Sequence, residues 1–251
     1  MQVEITPKEF IKNHLDGRLT FFQDTVVSAL ESCKVVVIPD SPTGSGLGVT
    51  LYGYLAWELL YSPQKVEIDI FSRSVAASNG NLKQFFYAGM GSMRRITNKG
   101  TLWTNEYTRS TLDISALHRI QPVHYPSDVY AYVDIDCRED FENAAEHLHR
   151  LVAMHGKRYY RMDGPKYGYD ANDVIPHQPI EYEMEKRRFI ITGRVAHYLR
   201  RELLTLGYDD DEVAIVEFKE MDFEKTARLN AILNQPHQYN PLNMPGYFYS
   251  P

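Results

Sequence analysis

Two aspartates one residue apart, Asp134 and Asp136, close the apolar run YAYVDID. Alternate side chains of a strand point to one face, so the spacing predicts that both carboxylates share a side. Two like charges there repel unless they are solvated, protonated or bridged by a cation. Mg²⁺ or Mn²⁺ held by these two carboxylates and by substrate phosphates resolves the repulsion, which makes Asp134 and Asp136 candidate metal ligands. The competing assignment gives Asp136 to the N-terminus of a helix starting near Glu139 and leaves Asp134 solvated.

A second candidate is the turn Asp40-Ser41-Pro42-Thr43-Gly44-Ser45-Gly46-Leu47-Gly48, which follows the apolar run Val35 to Ile38. Its glycines let backbone N–H groups approach an anion, and the start of a helix behind them favours negative charge. Ser41, Thr43, Gly44, Ser45 and Gly46 are therefore candidate phosphate contacts, and Asp40 a candidate catalytic carboxylate. The turn is not a P-loop, because the lysine of GxxxxGK[ST] is absent. It is not the dinucleotide fingerprint either, since Val49 holds the place of the third glycine. A small-residue turn with no ligand accounts for the same residues, with Asp40 capping it.

Arg94 and Arg95 lie in a polar, glycine-containing stretch and could neutralise substrate charge. Further basic groups occur at Lys157-Arg158 with Arg161, at Lys186-Arg187-Arg188 and at Arg200-Arg201, with tyrosines between them. That interleaving admits a nucleic-acid face, although each cluster has acidic neighbours and reads equally well as a mixed-charge surface. His147 and His149 fall two apart in a helical pattern, so they cannot chelate one ion. No nucleophile elbow, HExxH or EF-hand loop is present.

The elements that must position these groups follow from periodicity. Thr6-Pro7-Lys8-Glu9 is a helix start with a capping box, and a second helix is expected from Phe21 to Ser32. Val35–Ile38, a helix striped by Tyr52, Leu55, Ala56 and Leu59, and a second apolar run make a βαβ unit. Gln84 to Ala88 reads as a strand before a long loop or irregular hairpin. The second half predicts a strand over 129–135, a helix over 139–155, strands near 158–162 and within 180–191, a helix over 193–206 and a strand over 213–218. The expected fold class is thus α/β: N-terminal helices and a βαβ unit, then a β-α-β-β-α-β, ferredoxin-like half. That half forms a second subdomain or continues one mixed sheet. The corresponding division is 1–120, 121–233 and a proline- and aromatic-rich tail over 234–251.

The chain has 251 residues, 43% hydrophobic and 24% charged, with a net charge of −6. These values suit a globular protein and argue against a general nucleic-acid coat. Cys33 and Cys137 are its only cysteines, in no metal or redox spacing, and are expected as buried free thiols. No apolar run approaches the length of a membrane span and MQVEITPKEF is not a signal peptide, so the expected location is cytoplasmic. The leading expectation is a metal-dependent transferase or hydrolase of a phosphate-bearing small molecule or nucleic-acid end. Its rival is a binding or assembly protein. In that reading the eighteen tyrosines and the C-terminal tail dock a protein partner or a second copy of the chain.

Overall fold

The computed structural model describes residues 5–15, 17–87, 96–120, 127–155, 187–205 and 208–219. Arg94, Arg95, the expected strand at 158–162 and the tail at 234–251 lie outside these residues. Helices α1 (Pro7–His14) and α2 (Phe21–Ser32) begin at full capping boxes, Thr6 with Glu9 and Thr20 with Gln23. In each, two otherwise unpaired donors are satisfied reciprocally, which fixes where the helix starts.

Strand β1 (Val35–Ile38) leads into helix α3 (Leu47–Tyr61) and β2 (Glu67–Ser72) into α4 (Val75–Tyr87). A hairpin of β3 (Ile96–Lys99) and β4 (Leu102–Asn105) precedes β5 (Thr111–Ala116). Then come β6 (Val129–Val133), α5 (Arg138–His155), β7 (Arg188–Thr192), α6 (Ala196–Thr205) and β8 (Val213–Ile215). The strand expected at Gln84 to Ala88 is instead the end of α4. Leu82, Phe85 and Phe86 are buried at helical spacing, so packing on one helix face outweighs the strand preference of the two phenylalanines.

Among the described residues all eight strands form one sheet, in the order β3-β4-β5-β2-β6-β7-β1-β8. The ferredoxin-like arrangement is not seen. The second-half strands continue the sheet begun at Val35, with β7 parallel to both β6 and β1, and β8 parallel to β1. Only β4 runs against the others, paired antiparallel to β3 and to β5 near one edge.

Alternation along each strand splits the core in two. Val36, Ile38, Ile68, Ile70, Ala131 and Ile190 pack with α1 to α4 on one face. Val35, Val37, Tyr130, Tyr132, Phe189 and Ile191 pack with α5 and α6 on the other. Connections toward β2 and β5 cross the first face, and those toward β7 and β8 cross the second, as a consistent crossover hand requires. Neighbouring strands therefore send their helices to opposite faces at two places, β2 beside β6 and β7 beside β1. β7 is buried on both faces, so its aromatic Phe189 offers no base-stacking surface.

At the other end of the strands, Arg188 of β7 reaches Glu58 of α3 at 2.6 Å and the Tyr54 hydroxyl at 2.9 Å. Tyr54 in turn donates to Glu58 and is close to the Leu30 carbonyl. Burial drives the Tyr54 phenol well above its ordinary value, and the neighbouring Glu58 charge adds to that. The described members of the basic clusters are largely structural in this way: Arg187 pairs with Asp128 and Arg200 with Asp210.

Two buried groups oppose each other in their response to pH. His147, packed among Phe71, Tyr130 and Tyr132 with Nδ1 2.8 Å from the Tyr132 hydroxyl, is pushed by burial down to about 4. Asp69, which accepts from the Ser127 hydroxyl, is pushed by burial up to about 6. Between about pH 6.5 and 4 the unfolded chain takes up the histidine proton first, so acidification costs stability. Over about 4 to 6 the native state holds the Asp69 proton, so acidification restores stability. Removing one group exposes the other. The stability advantage of Asp69→Asn over the wild type is expected to grow by roughly 1–3 kcal/mol from pH 4 to pH 6.5, read from denaturant midpoints. An unchanged difference across that range would refute the assignment. Independently, Glu58→Gln strands the half-buried Arg188 and is expected to cost about 2–4 kcal/mol in urea unfolding at unchanged slope.

Candidate functional site

The six parallel strands end at one edge, and four of them turn there directly into helices. Register aligns Ser72 of β2 with Val133 of β6, Ile191 of β7 with Tyr132, and Ile38 of β1 with Thr192 of β7. The residues that follow, Arg73, Asp134, Gly193 and Pro39, and then Asp40 and Arg194, thus stand side by side along the edge. Open α/β sheets bind ligands where adjacent connections diverge, outside the carboxyl ends of the strands. Both divergences of this sheet fall within that row.

Asp134 and Asp40 share an unusual backbone. Each lies just beyond its strand with positive φ, 60° and 32°, outside the regions that non-glycine residues favour. At Asp134 the turn reverses the strand alternation. Val133 packs on the α1–α4 face, as expected, but Ile135 is buried with α5 and α6. The premise that Asp134 and Asp136 continue a regular strand therefore fails, because the strand ends at Val133. The two charges remain close enough to interact. Partial desolvation raises the Asp134 pKa and the Asp136 charge raises it further.

The neighbouring loop holds this turn. Buried Thr192 accepts the Asp134 N–H through its hydroxyl at 3.1 Å and the Ile135 N–H through its carbonyl at 2.8 Å. The Ile135 carbonyl then accepts from Val195 N, and Asp136 Oδ1 from Arg194 N at 3.1 Å. Gly193 permits the approach: at φ 120°, a Cβ on it would lie 2.4 Å from Ile135 N. Asp136 thus fastens the approach to α6 rather than capping α5. That reach-back belongs to Asp140, whose Oδ2 lies 3.4 Å from Asp136 N and 3.1 Å from Cys137 Sγ. Among the described residues, the carboxylates of Asp134 and Asp40 have no hydrogen-bond partner.

The Asp40–Gly48 turn closes through Ser45 N to the Pro42 carbonyl at 3.0 Å, and the Ser45 hydroxyl accepts from Leu47 N at 3.3 Å. Ser45 is buried, whereas Thr43 and Gly44 are exposed and Ser41 and Gly46 are half-buried. Gly46 caps α3 at φ 80°, and a Cβ there would come 2.2 Å from Gln23 Nε2 of α2. The left-handed φ, together with the close approach of Gln23, accounts for this glycine without a ligand.

Beneath Asp134 lies a buried hydroxyl pair, Tyr52 of α3 and Ser78 of α4, 2.6 Å apart. Burial raises the Tyr52 phenol, the Ser78 hydrogen bond opposes that, and the Asp134 charge raises it again. Sequence reasoning missed Tyr52, Thr192, Arg73 and Arg194. The last two carried the signal already applied to Asp40 and Asp134, a charged residue just after an apolar strand run, in IFSRS and ITGRV. His147 and His149 are spoken for by Tyr132 and Glu202. Cys33 and Cys137 are free and only half-buried, a correction to their expected burial. Among the described residues no group of three His, Cys, Asp or Glu side chains could hold a metal, and no helix is long and apolar enough to cross a membrane.

No family model matches the chain, and no curated protein matches its sequence. The edge has to be read from its own geometry. Thr192→Val keeps shape but deletes the acceptor of Asp134 N. It is expected to cost about 1–3 kcal/mol and to speed hydrogen exchange at the Asp134 amide, whereas Thr192→Ser keeps both near wild type.

Proposed function

We propose that this chain is a divalent-metal-dependent transferase or hydrolase acting on a phosphate-bearing substrate: a nucleotide, a nucleotide-sugar or a nucleic-acid end. One observation carries the reading. Two aspartates sit in left-handed backbone just beyond the ends of β6 and β1, on either side of β7, with carboxylates that have no partner among the described residues. The strands they follow are two spacings apart, about 10 Å. Backbone strain of this kind costs roughly 1–3 kcal/mol and persists where the surroundings enforce it, as the Thr192 contacts do at Asp134.

The donor set fits Mg²⁺ or Mn²⁺ bound mainly through substrate. Such ions take one or two carboxylates and fill the remaining positions with water and phosphate oxygens. Asp134 is the free ligand of the pair, and Asp136 adds the oxygen not engaged by Arg194 N. A cation there relieves the repulsion that raises the Asp134 pKa. When bound, it would polarise a phosphoryl oxygen and neutralise developing charge. The chain's own residues do the rest. Exposed Thr43 and Gly44 with half-buried Ser41 offer donors to the phosphate, Gly46 opens the α3 N-terminus toward it, and Asp40 supplies a second carboxylate as base or ligand.

Thermal unfolding with Mg²⁺ or Mn²⁺ and a panel of nucleotides and nucleotide-sugars tests this. A ligand at a hundredfold excess over its Kd adds about 2.7 kcal/mol, a rise of roughly 5 °C for a chain of this size. The rise is expected to need the divalent ion and to vanish in Asp134→Asn. If no member of the panel shifts the wild type, the reading is wrong.

A further inference from the structure

Charge alternates along the edge. In strand order the residues closing β2, β6, β7 and β1 include Arg73, Asp134, Arg194 and Asp40. In strand order Asp134 therefore has an arginine on each side, and neither guanidinium is hydrogen-bonded among the described residues. Among the described residues Arg73 makes one ion pair, Nε 3.9 Å from Asp140 Oδ2 and beyond hydrogen-bonding distance, and its side chain is 59% exposed. Asp140 keeps Asp136 N and Cys137 Sγ without it, so Arg73 can leave at little cost. Arg194 spends its backbone N–H on Asp136, while its exposed guanidinium has no partner among the described residues. No ion pair joins Asp134 to either arginine among the described residues, and a ligand carrying both anionic oxygens and a cation would satisfy all three groups.

Resting on the phosphate-site reading above, we infer that Arg73 and Arg194 are the anion-gripping pair of this edge. They would hold the phosphoryl oxygens of a metal-bound diphosphate or phosphodiester from the two sides of Asp134. A planar guanidinium with five donors matches phosphate oxygens two at a time, which a lysine at the same place cannot do. The two arginines follow the ends of β2 and β7, the strands flanking β6, which lie about 10 Å apart. The side chains can converge on one phosphoryl group over Asp134 or take adjacent groups of a diphosphate. This places the anion over the β2–β6 divergence and extends the site beyond the Asp40–Gly48 turn.

Calorimetric titration of the full chain with pyrophosphate in Mn²⁺, and separately with Mn²⁺ alone, decides the matter. Arg73→Gln and Arg194→Gln are each expected to weaken pyrophosphate about tenfold and to leave Mn²⁺ binding unchanged. Arg73→Lys and Arg194→Lys should recover only part of the loss. Pyrophosphate affinities within twofold of wild type in both glutamine variants would overturn the inference and leave the metal-site reading standing. A wild type that binds Mn²⁺ but no pyrophosphate, or that binds neither, overturns this inference together with the phosphate-site reading. Circular dichroism and unfolding midpoints equal to wild type exclude misfolding as the cause, since both side chains are exposed.

Discussion

The contact between the β6 and β7 turns governs the edge on which the functional reading depends. Thr192 takes two consecutive N–H groups, one on its hydroxyl and one on its carbonyl. That pair of bonds holds Asp134 in left-handed backbone and reverses the strand alternation, so that Ile135 turns into the core while Asp134 remains at the surface. Gly193 makes the contact possible, because any side chain there would occupy the space of the Ile135 backbone. Most polar groups at strand ends can turn to water. Here the backbone donors are tied internally, and the carboxylate of Asp134 is what remains available.

The sheet supplies the second constraint. Helices that leave adjacent parallel strands toward opposite faces open a gap at the strand ends, and this sheet has two such gaps around the β6–β7 pair. The gaps come from the direction of the connections, because steps toward β5 and steps toward β8 must use different faces to keep one crossover hand. Tyrosine serves the interior as well as the surface. Tyr52, Tyr54, Tyr130 and Tyr132 are buried, and each hydroxyl has a partner. At these four positions tyrosine provides polar anchoring inside the core.

Local patterns showed a good part of this. The Thr6 cap gave the start of α1, apolar periodicity gave α2, and apolar runs gave β1 and β6, because a strand covered on both faces is apolar throughout. Phe85 and Phe86 misled at α4, where the side chains that settle the helix face, Ser78 and Leu82, precede them by one and two turns. Asp40 and Asp134 were visible as acids after apolar runs. Arg73 and Arg194 had the same signature, but their neighbours do not draw attention to it.

What the sequence determined by itself was local: helix caps, apolar strands, the small-residue turn after Ile38 and the presence of acids at two strand ends. Each depends on residues within a few positions of one another, where propensity and periodicity act. Only the tertiary structure decided that the second-half strands join the first sheet, that Asp136 is tied to the α6 approach while Asp134 is free, and that two arginines flank it. Those facts depend on which strands become neighbours. Strand pairing links residues such as Tyr132 and Ile191, which are far apart in the chain, through backbone hydrogen bonds that carry no side-chain signature.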